Sequence, residues 1–167
     1  MRVRLRKWEE EDILDLVKVA NNHNVARYLR DSFPYPYRLE HGEYFLSICK
    51  NADRSKEVLL AIDVEGVAVG NIGLTIGEDV HRNTAEIGYW LGEPYWNKGI
   101  ATKAVALMLQ IAFEEYKLHR VYATFIETNM ASGRVLEKNG FQYEGRLHKS
   151  ITKEGEVYDS ILYAITK

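Results

Sequence analysis

The sequence has a single cysteine, Cys49, in 167 residues. One thiol excludes an intrachain disulfide, and because free cysteines are often buried, we expect Cys49 to be a core residue rather than a nucleophile.

Apolar runs long enough to span a bilayer are missing, as is a signal-peptide pattern, so we expect a soluble, cytoplasmic protein with no membrane partner. The net charge is only −2, which disfavours nucleic acid as a partner. The five histidines lack metal-ligand spacing, so no metal is predicted.

Strand and helix patterns alternate along the whole chain. The hydrophobic fraction of 46% and the charged fraction of 28% are typical of globular proteins, and the length suits one domain over residues 1–167. Residues 22–38 are predicted to form a short helix that leads into an irregular loop. The remaining elements predicted from periodicity are strands at 2–6, 84–91, 120–125, 141–147 and 157–165, a hairpin at 58–74, and helices at 10–21, 40–50, 101–116 and 131–138. This order indicates one mixed sheet with helices, an α/β (α+β) fold.

The stretch "YWNKGIATKAV", residues 95–105, places a glycine and small residues where a helix begins. Gly99 lacks a Cβ and allows a ligand to approach the backbone, while Ala101 and Thr102 keep the next turn narrow. Backbone amides at such a helix start suit a phosphate group. An ordinary helix start is the alternative interpretation of this stretch alone.

Two motifs in sequence, "WNKGIATKAV" and "NMASGRVLEKNGF", resemble the GNAT superfamily of acyl-CoA-dependent N-acetyltransferases. The segment "AEIGYWLGEPYWNKGIATKAV" is similar to the RimJ/RimL branch, whose named members acetylate the N-terminal amines of ribosomal proteins. The resemblance implies a mostly antiparallel twisted sheet with helices on both faces and splayed central strands. It also implies acetyl-CoA as co-substrate, an amine acceptor that is possibly a protein N-terminus, and possible homodimers.

The resemblance assigns the coenzyme site to three short segments. The family's Q/R-x-x-G-x-G/A motif matches residues 96–101, except that Trp96 replaces its polar first residue. Lys98 either adds charge to a phosphate or is simply solvated, and Asn129 either binds the pantetheine arm or caps a helix. The expected coenzyme-binding residues are Tyr89, Trp90, Leu91, Asn97, Lys98, Gly99, Ile100, Ala101, Thr102, Asn129 and Ser132.

The same resemblance suggests catalytic residues. Leu136 stands where many relatives have a tyrosine that protonates the leaving thiolate, so Ser132 is the candidate for stabilising it; the alternative is a serine that satisfies local helix amides. Glu86 is the candidate general base, or else an exposed strand glutamate paired across the sheet. A backbone N–H of residues 89–91 is expected to stabilise the oxyanion. Gly88 either eases a bulge there or simply weakens the packing of the strand.

The acceptor side is less defined. Tyr28, Phe33, Tyr35 and Tyr37 are predicted either to wall an acceptor groove or to form a satellite core. Asp31 and Glu144 are further candidates for attracting a cationic amine, although isolated surface carboxylates are more often solvated. The sequence therefore predicts an N-acetyltransferase, with the N-terminal α-amine of a protein as first acceptor. The alternatives are a polyamine or aminoglycoside acetyltransferase and a non-catalytic acyl-CoA-binding domain.

Overall fold

A computed structural model describes all 167 residues of the chain as one seven-stranded sheet with helices on both faces. The strands are β1 (Val3–Arg6), β2 (Glu57–Val64), β3 (Val67–Ile76), β4 (Thr84–Leu91), β5 (Arg120–Ile126), β6 (Gln142–Lys153) and β7 (Glu156–Thr166). The helices are α1 (Ile13–Ala20), α2 (His23–Ala26), α3 (Leu39–Asn51), α4 (Ile100–Gln110) and α5 (Met130–Lys138). The predicted fold class is confirmed.

The strand order is β1-β2-β3-β4-β5-β7-β6, and only β4 and β5 run parallel. These two central strands pair over three residues, from Thr84 with Arg120 to Glu86 with Tyr122, and then separate. The predicted splay is therefore present. The β3–β4 register is continuous through Gly88, so the bulge expected there is absent. Gly88 instead pairs with Gly73 of β3.

The main core lies between the sheet and α4 with α5. Apolar residues recur at helical spacing along α4, and Ala104, Val105 and Met108 are completely buried against alternate residues of β2, β3 and β4. A smaller cluster of Leu16, Ala20 and Tyr37 lies on the opposite face, under α1 and α3. Each face of the central strands is thus covered by a different set of helices.

The helix predicted at 101–116 is divided into α4 and a π-helical turn over Ile111–Glu115. The strand β6 runs six residues past its predicted end at 147. Two register shifts in β6, at 143/145 and 147/151, interrupt its alternation of polar and apolar side chains. The full length of the strand therefore could not be predicted from the sequence pattern. The "KEGE" turn brings Lys153 within 3.1 Å of Asp31 and Glu154 within 2.7 Å of His23, so the hairpin tip meets the loop after α2.

None of the helices combines the length and hydropathy needed to cross a membrane. Cys49 is half-buried rather than a core residue, and burial together with the charge of Glu57 raises the pKa of its thiol to about 12.

A buried ion triad joins β1 to the start of the helical layer. The Arg6 guanidinium donates to Asp12 at 2.8 and 2.9 Å and to Asp63 at 2.6 Å. Burial alone would raise the pKa of both carboxyls, but the hydrogen bonds from Arg6 hold them below their usual values. One guanidinium therefore satisfies two buried carboxylates.

We expect Arg6→Leu to lower the free energy of unfolding by about 3 kcal/mol at neutral pH, because it leaves Asp12 without a cation and Asp63 with only the more exposed Arg4, 3.6 Å away. Both carboxyls have lowered pKa values in the fold, so their contribution is complete above about pH 4 and is lost as the pH falls through the folded-state values. Urea unfolding at several pH values measures both effects.

The exposed pair of Lys50 and Glu10, 3.9 Å apart, supplies the control. Lys50→Ala should change the stability by less than about 1 kcal/mol. Equal losses in the two variants would contradict the assignment of the triad as a structural centre.

Candidate active site

The loop between β4 and α4 contains two left-handed residues. Asn97 has φ 59° and Gly99, the residue that caps α4, has φ 76°. A Cβ placed on Gly99 would meet no atom of the chain within 4 Å. Glycine is therefore favoured here by backbone conformation, and it also leaves open space over the helix start.

The backbone N–H groups of residues 97–102 donate to no acceptor in the chain, and the first helical donor is Lys103, which bonds the carbonyl of Gly99 at 3.1 Å. These amides lie at the positive end of the α4 dipole, beside the exposed side chain of Lys98. Such an arrangement binds an anion, and phosphate is the group that helix starts of this kind commonly hold.

Trp96, which breaks the expected motif, has a structural role. Its indole Nε1 donates to the Leu91 carbonyl at 2.7 Å, and its ring packs against the main core. The side chain thus ties the amide loop to the end of β4. A polar residue at this position is not needed for the loop to present its amides.

The side chains of β4 alternate between the two faces of the sheet. Ala85, Ile87, Tyr89 and Leu91 face α4 and α5, in the main core. We call the opposite side, toward α1 and α3, the acceptor face; it receives Glu86 and Trp90. After Glu86 the strand has no β5 partner, so both faces meet at the gap between the strands.

Tyr89 spans this gap. Its Oη lies 2.9 Å from Ser132 Oγ in the first turn of α5, and either hydroxyl can donate. Burial raises the pKa of Tyr89 to about 12, against the opposing effect of the Ser132 hydrogen bond. The phenol therefore stays protonated at neutral pH and is available to donate to Ser132. The side chain of Ser132 therefore forms its hydrogen bond with Tyr89 and not with local helix amides.

Asn129 and Leu136 lie on either side of Ser132 in sequence. Asn129 precedes α5, but its side chain makes no capping hydrogen bond, so the capping interpretation does not account for the amide group. Leu136 is completely buried in the main core. At the end of α5, Asn139 donates to the Thr102 carbonyl at 3.1 Å, which holds α5 against the first turn of α4.

Glu86 lies on the acceptor face with about a quarter of its side chain exposed (28%). Arg30 Nη2 approaches Oε1 at 3.7 Å, and Thr124 Oγ1 lies 3.5 Å from Oε2. Both contacts are long, and Arg30 is 84% exposed, so the carboxylate is held loosely and can accept another partner.

The aromatic residues predicted on the acceptor side separate into two groups. Phe33 and Tyr37 line a cleft of about 600 Å³ together with Trp90, whose ring centroid is 5.3 Å from that of Phe33. Tyr37 is 4% exposed and also belongs to the smaller cluster under α1 and α3. It is therefore both part of the cleft wall and part of a satellite core. Tyr28 stacks under Arg27, and Tyr35 is 54% exposed beside His23; neither lines the cleft.

Both acidic candidates for attracting an amine are already engaged by other groups. Asp31 pairs with Lys153, and Glu144 accepts two hydrogen bonds from Arg120 at 2.6 and 2.9 Å. Glu93, just after β4, is engaged as well and accepts from the side-chain amides of Asn22 and Asn24. The expectation that Asp31 and Glu144 attract an amine is therefore not supported.

Sequence reasoning missed two features of the site: the hydroxyl pair of Tyr89 with Ser132, and the position of the Trp90 side chain in the cleft. Alternation along β4 would have placed Trp90 on the face of Glu86. No sequence signal relates Tyr89 to Ser132, because they are 43 residues apart and meet only through the splay of the sheet.

A splayed sheet with free helix-start amides at the gap defines an acyl-CoA-type transferase, and comparison with known proteins agrees. Residues 2–142 match the family model described as the acetyltransferase (GNAT) domain. The chain belongs to this family, and the predicted resemblance is confirmed.

Relatives align over nearly the whole chain. An uncharacterized N-acetyltransferase, YnaD of Bacillus subtilis, is 30% identical over 98% of this chain and 93% of its own length. The spermidine N(1)-acetyltransferase of Escherichia coli is 27% identical over 98% and 85%. The structure of Mycobacterium smegmatis RimJ in complex with CoA-disulfide superposes with a TM-score of 0.87 at 26% identity, covering 98% of this chain and 81% of that one.

Two glycines of the site allow a matched test of backbone conformation. Neither Gly99 nor Gly88 has an atom within 4 Å of its ideal Cβ, but only Gly99 has positive φ. We expect Gly99→Ala to destabilise the fold by about 1 kcal/mol, the penalty of a left-handed non-glycine residue, and Gly88→Ala to stay within about 0.5 kcal/mol of the unsubstituted protein. Thermal and urea unfolding measure both; equal effects would contradict the conformational explanation.

Proposed function

We propose that this protein transfers the acetyl group of acetyl-CoA directly to a primary amine, and that the preferred amine is the N-terminal α-amine of a protein or peptide. The observation that carries the proposal is the run of unbonded backbone N–H groups at residues 97–102, beside the gap between β4 and β5.

The residues at the gap fit an acyl-CoA. The amides of residues 97–102 and the side chain of Lys98 suit the diphosphate, and the open space over Gly99 permits close approach. The edge of β4 after Glu86 has no strand partner, so its backbone is available to pair with an extended pantetheine arm. The side-chain amide of Asn129, which makes no capping hydrogen bond, adds a polar group on the other side of the gap.

Ser132 and Tyr89 supply the leaving-group side of the proposed reaction. Ser132 donates a hydrogen bond to the departing sulfur while its oxygen accepts one from the Tyr89 phenol, 2.9 Å away. Because the pKa of Tyr89 is raised to about 12, the phenol remains a donor and orients the serine hydrogen outward. A backbone N–H of residues 89–91 stabilises the oxyanion on the attacked carbonyl.

Glu86 receives the amine proton, directly or through water. An α-amine with a pKa of roughly 7.7–8.0 needs less help than a lysine near 10.4, which favours an N-terminus as acceptor. The RimJ neighbour supports the same choice at the level of the fold. The second candidate is a small polyamine, favoured by the spermidine-acetylating relative.

Thiol release from acetyl-CoA tests the proposal, with free-N-terminus peptides, N-blocked lysine peptides, polyamines and aminoglycosides as acceptors. Turnover of free N-termini supports the first candidate, and turnover of small amines alone supports the second. Binding of acetyl-CoA without turnover of any acceptor would favour a non-catalytic acyl-CoA-binding domain.

The coenzyme site is tested by Gly99→Glu. A carboxylate over the amide loop should weaken acetyl-CoA binding by about 100-fold or more, since it repels the diphosphate. Gly66→Glu is the control, because Gly66 also has positive φ and no neighbouring atoms but lies in the β2–β3 turn. Calorimetric affinities that match in the two variants would refute the site.

The base is tested by Glu86→Gln. We expect kcat/KM to fall by about 100-fold, most strongly at low pH, where the amine is protonated and proton removal is needed. Glu78→Gln, at an exposed and unpaired position before β4, should leave the pH profile unchanged. A Glu86→Gln profile that parallels that of the unsubstituted enzyme would remove Glu86 from the mechanism.

A further inference from the structure

A second carboxylate lies in the same row as Glu86 on the acceptor face. Glu57 of β2 pairs with Thr75 of β3, and Thr75 pairs with Glu86 of β4. Directly opposed residues of antiparallel strands point to the same face. Two interstrand spacings separate the α-carbons of Glu57 and Glu86 by about 10 Å.

Glu57 is partly buried, and no group in the chain donates a hydrogen bond or forms an ion pair with its carboxylate. Other carboxylates withdrawn from water are paired: the buried Asp63 with Arg6, and the partly buried Asp159 with Arg146. Because a carboxylate withdrawn from water is stabilised by a cation, Glu57 is suited to a cation that the chain itself does not provide.

The surroundings of Glu57 also favour a cation. It lines the cleft of about 600 Å³, which contains no lysine or arginine. The ring of His41, the one basic residue in the wall, accepts the Arg38 N–H through Nδ1 at 2.8 Å. Aromatic faces attract alkylammonium ions and exclude water from them. The aromatic residues of the wall are Phe33, Tyr37, Tyr44, Phe45 and Trp90.

A strip with two glycines runs from the cleft to Glu86. Between the row of Glu57 and Glu86 and the row of Trp90, the floor is formed by Leu59, Gly73 and Gly88 in register. The space over Gly88 is free of other atoms, while the side chain of Leu59 reaches over Gly73, 3.1 Å from the position of a Cβ. A flexible chain can therefore lie over Gly88 and against the apolar side chain of Leu59, with one end at each carboxylate.

We propose that the cleft at Glu57 is a binding subsite for a second alkylammonium group of the acceptor, held by Glu57 and the aromatic wall while the reacting amine lies at Glu86. This inference rests on the proposed function and deepens it, since it states what the rest of the acceptor must carry. The cation has two chemical sources: the far end of a diamine or polyamine, or a lysine side chain next to a peptide's free N-terminus.

The experiment compares kcat/KM for α,ω-diamines of increasing length with that for monoamines of the same length. The expected result is a preference for diamines that peaks where the nitrogens are about 10 Å apart. Glu57→Gln should reduce the diamine-to-monoamine ratio about tenfold, the loss of one charged hydrogen-bonded contact. Peptides with lysine or norleucine at the second position form the other arm and identify the source of the cation.

Two further variants separate the subsite from general damage. Glu43→Gln changes an exposed carboxylate of α3 that does not line the cleft, and should retain the diamine preference. Tyr44→Leu removes one ring from the cleft at a position that is 70% exposed, and should lower the ratio without unfolding the protein.

Monoamine turnover with no diamine or lysine preference, or a ratio unchanged by Glu57→Gln, would overturn the subsite and leave the proposed function standing. If no amine is acetylated, the proposed function fails, and calorimetry with a diamine still decides the subsite: equal affinity in Glu57→Gln and the unsubstituted protein refutes it.

Discussion

The site depends on the early separation of β4 from β5. Two parallel strands that pair over only three residues leave one edge of β4 unbonded in the middle of a sheet, and unpaired backbone groups are unfavourable unless something else satisfies them. The indole of Trp96 satisfies one of these backbone groups, the Leu91 carbonyl. Ser132 bonds the Tyr89 side chain and no backbone group of the edge. The rest of the edge is open, and α4 and α5 present their amino ends to the same opening.

The two faces of the sheet at this opening present groups of opposite charge. On one face, the amino end of α4 offers uncompensated N–H groups and Lys98, which suit an anion. On the acceptor face, Glu86 and Glu57 offer loosely held or unpaired carboxylates beside aromatic rings, which suit a cation. An anionic coenzyme and a cationic amine would thus approach β4 from opposite sides, each attracted by the face it meets.

Most of the fold was predictable because its signals are local. Periodicity predicted the strands and helices to within a few residues, except for β6, whose register shifts obscure its last six residues. The motif around Gly99 predicted the position of the amide loop. The roles of particular side chains were less accessible, since they depend on strand register. Asp31 and Glu144 appeared free in the sequence but have partners from the terminal hairpin and β5. Glu57 drew no attention, because nothing local shows that it lies in one row with Glu86.

The alternation of side chains along β4 also bears on how such a protein can diverge. Trp90 and Glu86 occupy one set of positions, Tyr89 and Ile87 the other, so substitutions on the acceptor face can accumulate without changing the side chains that face α4 and α5. Insertions are a different matter. One residue added or lost within β4 would exchange the two sets, so natural variation in this strand should proceed by substitution and spare its length.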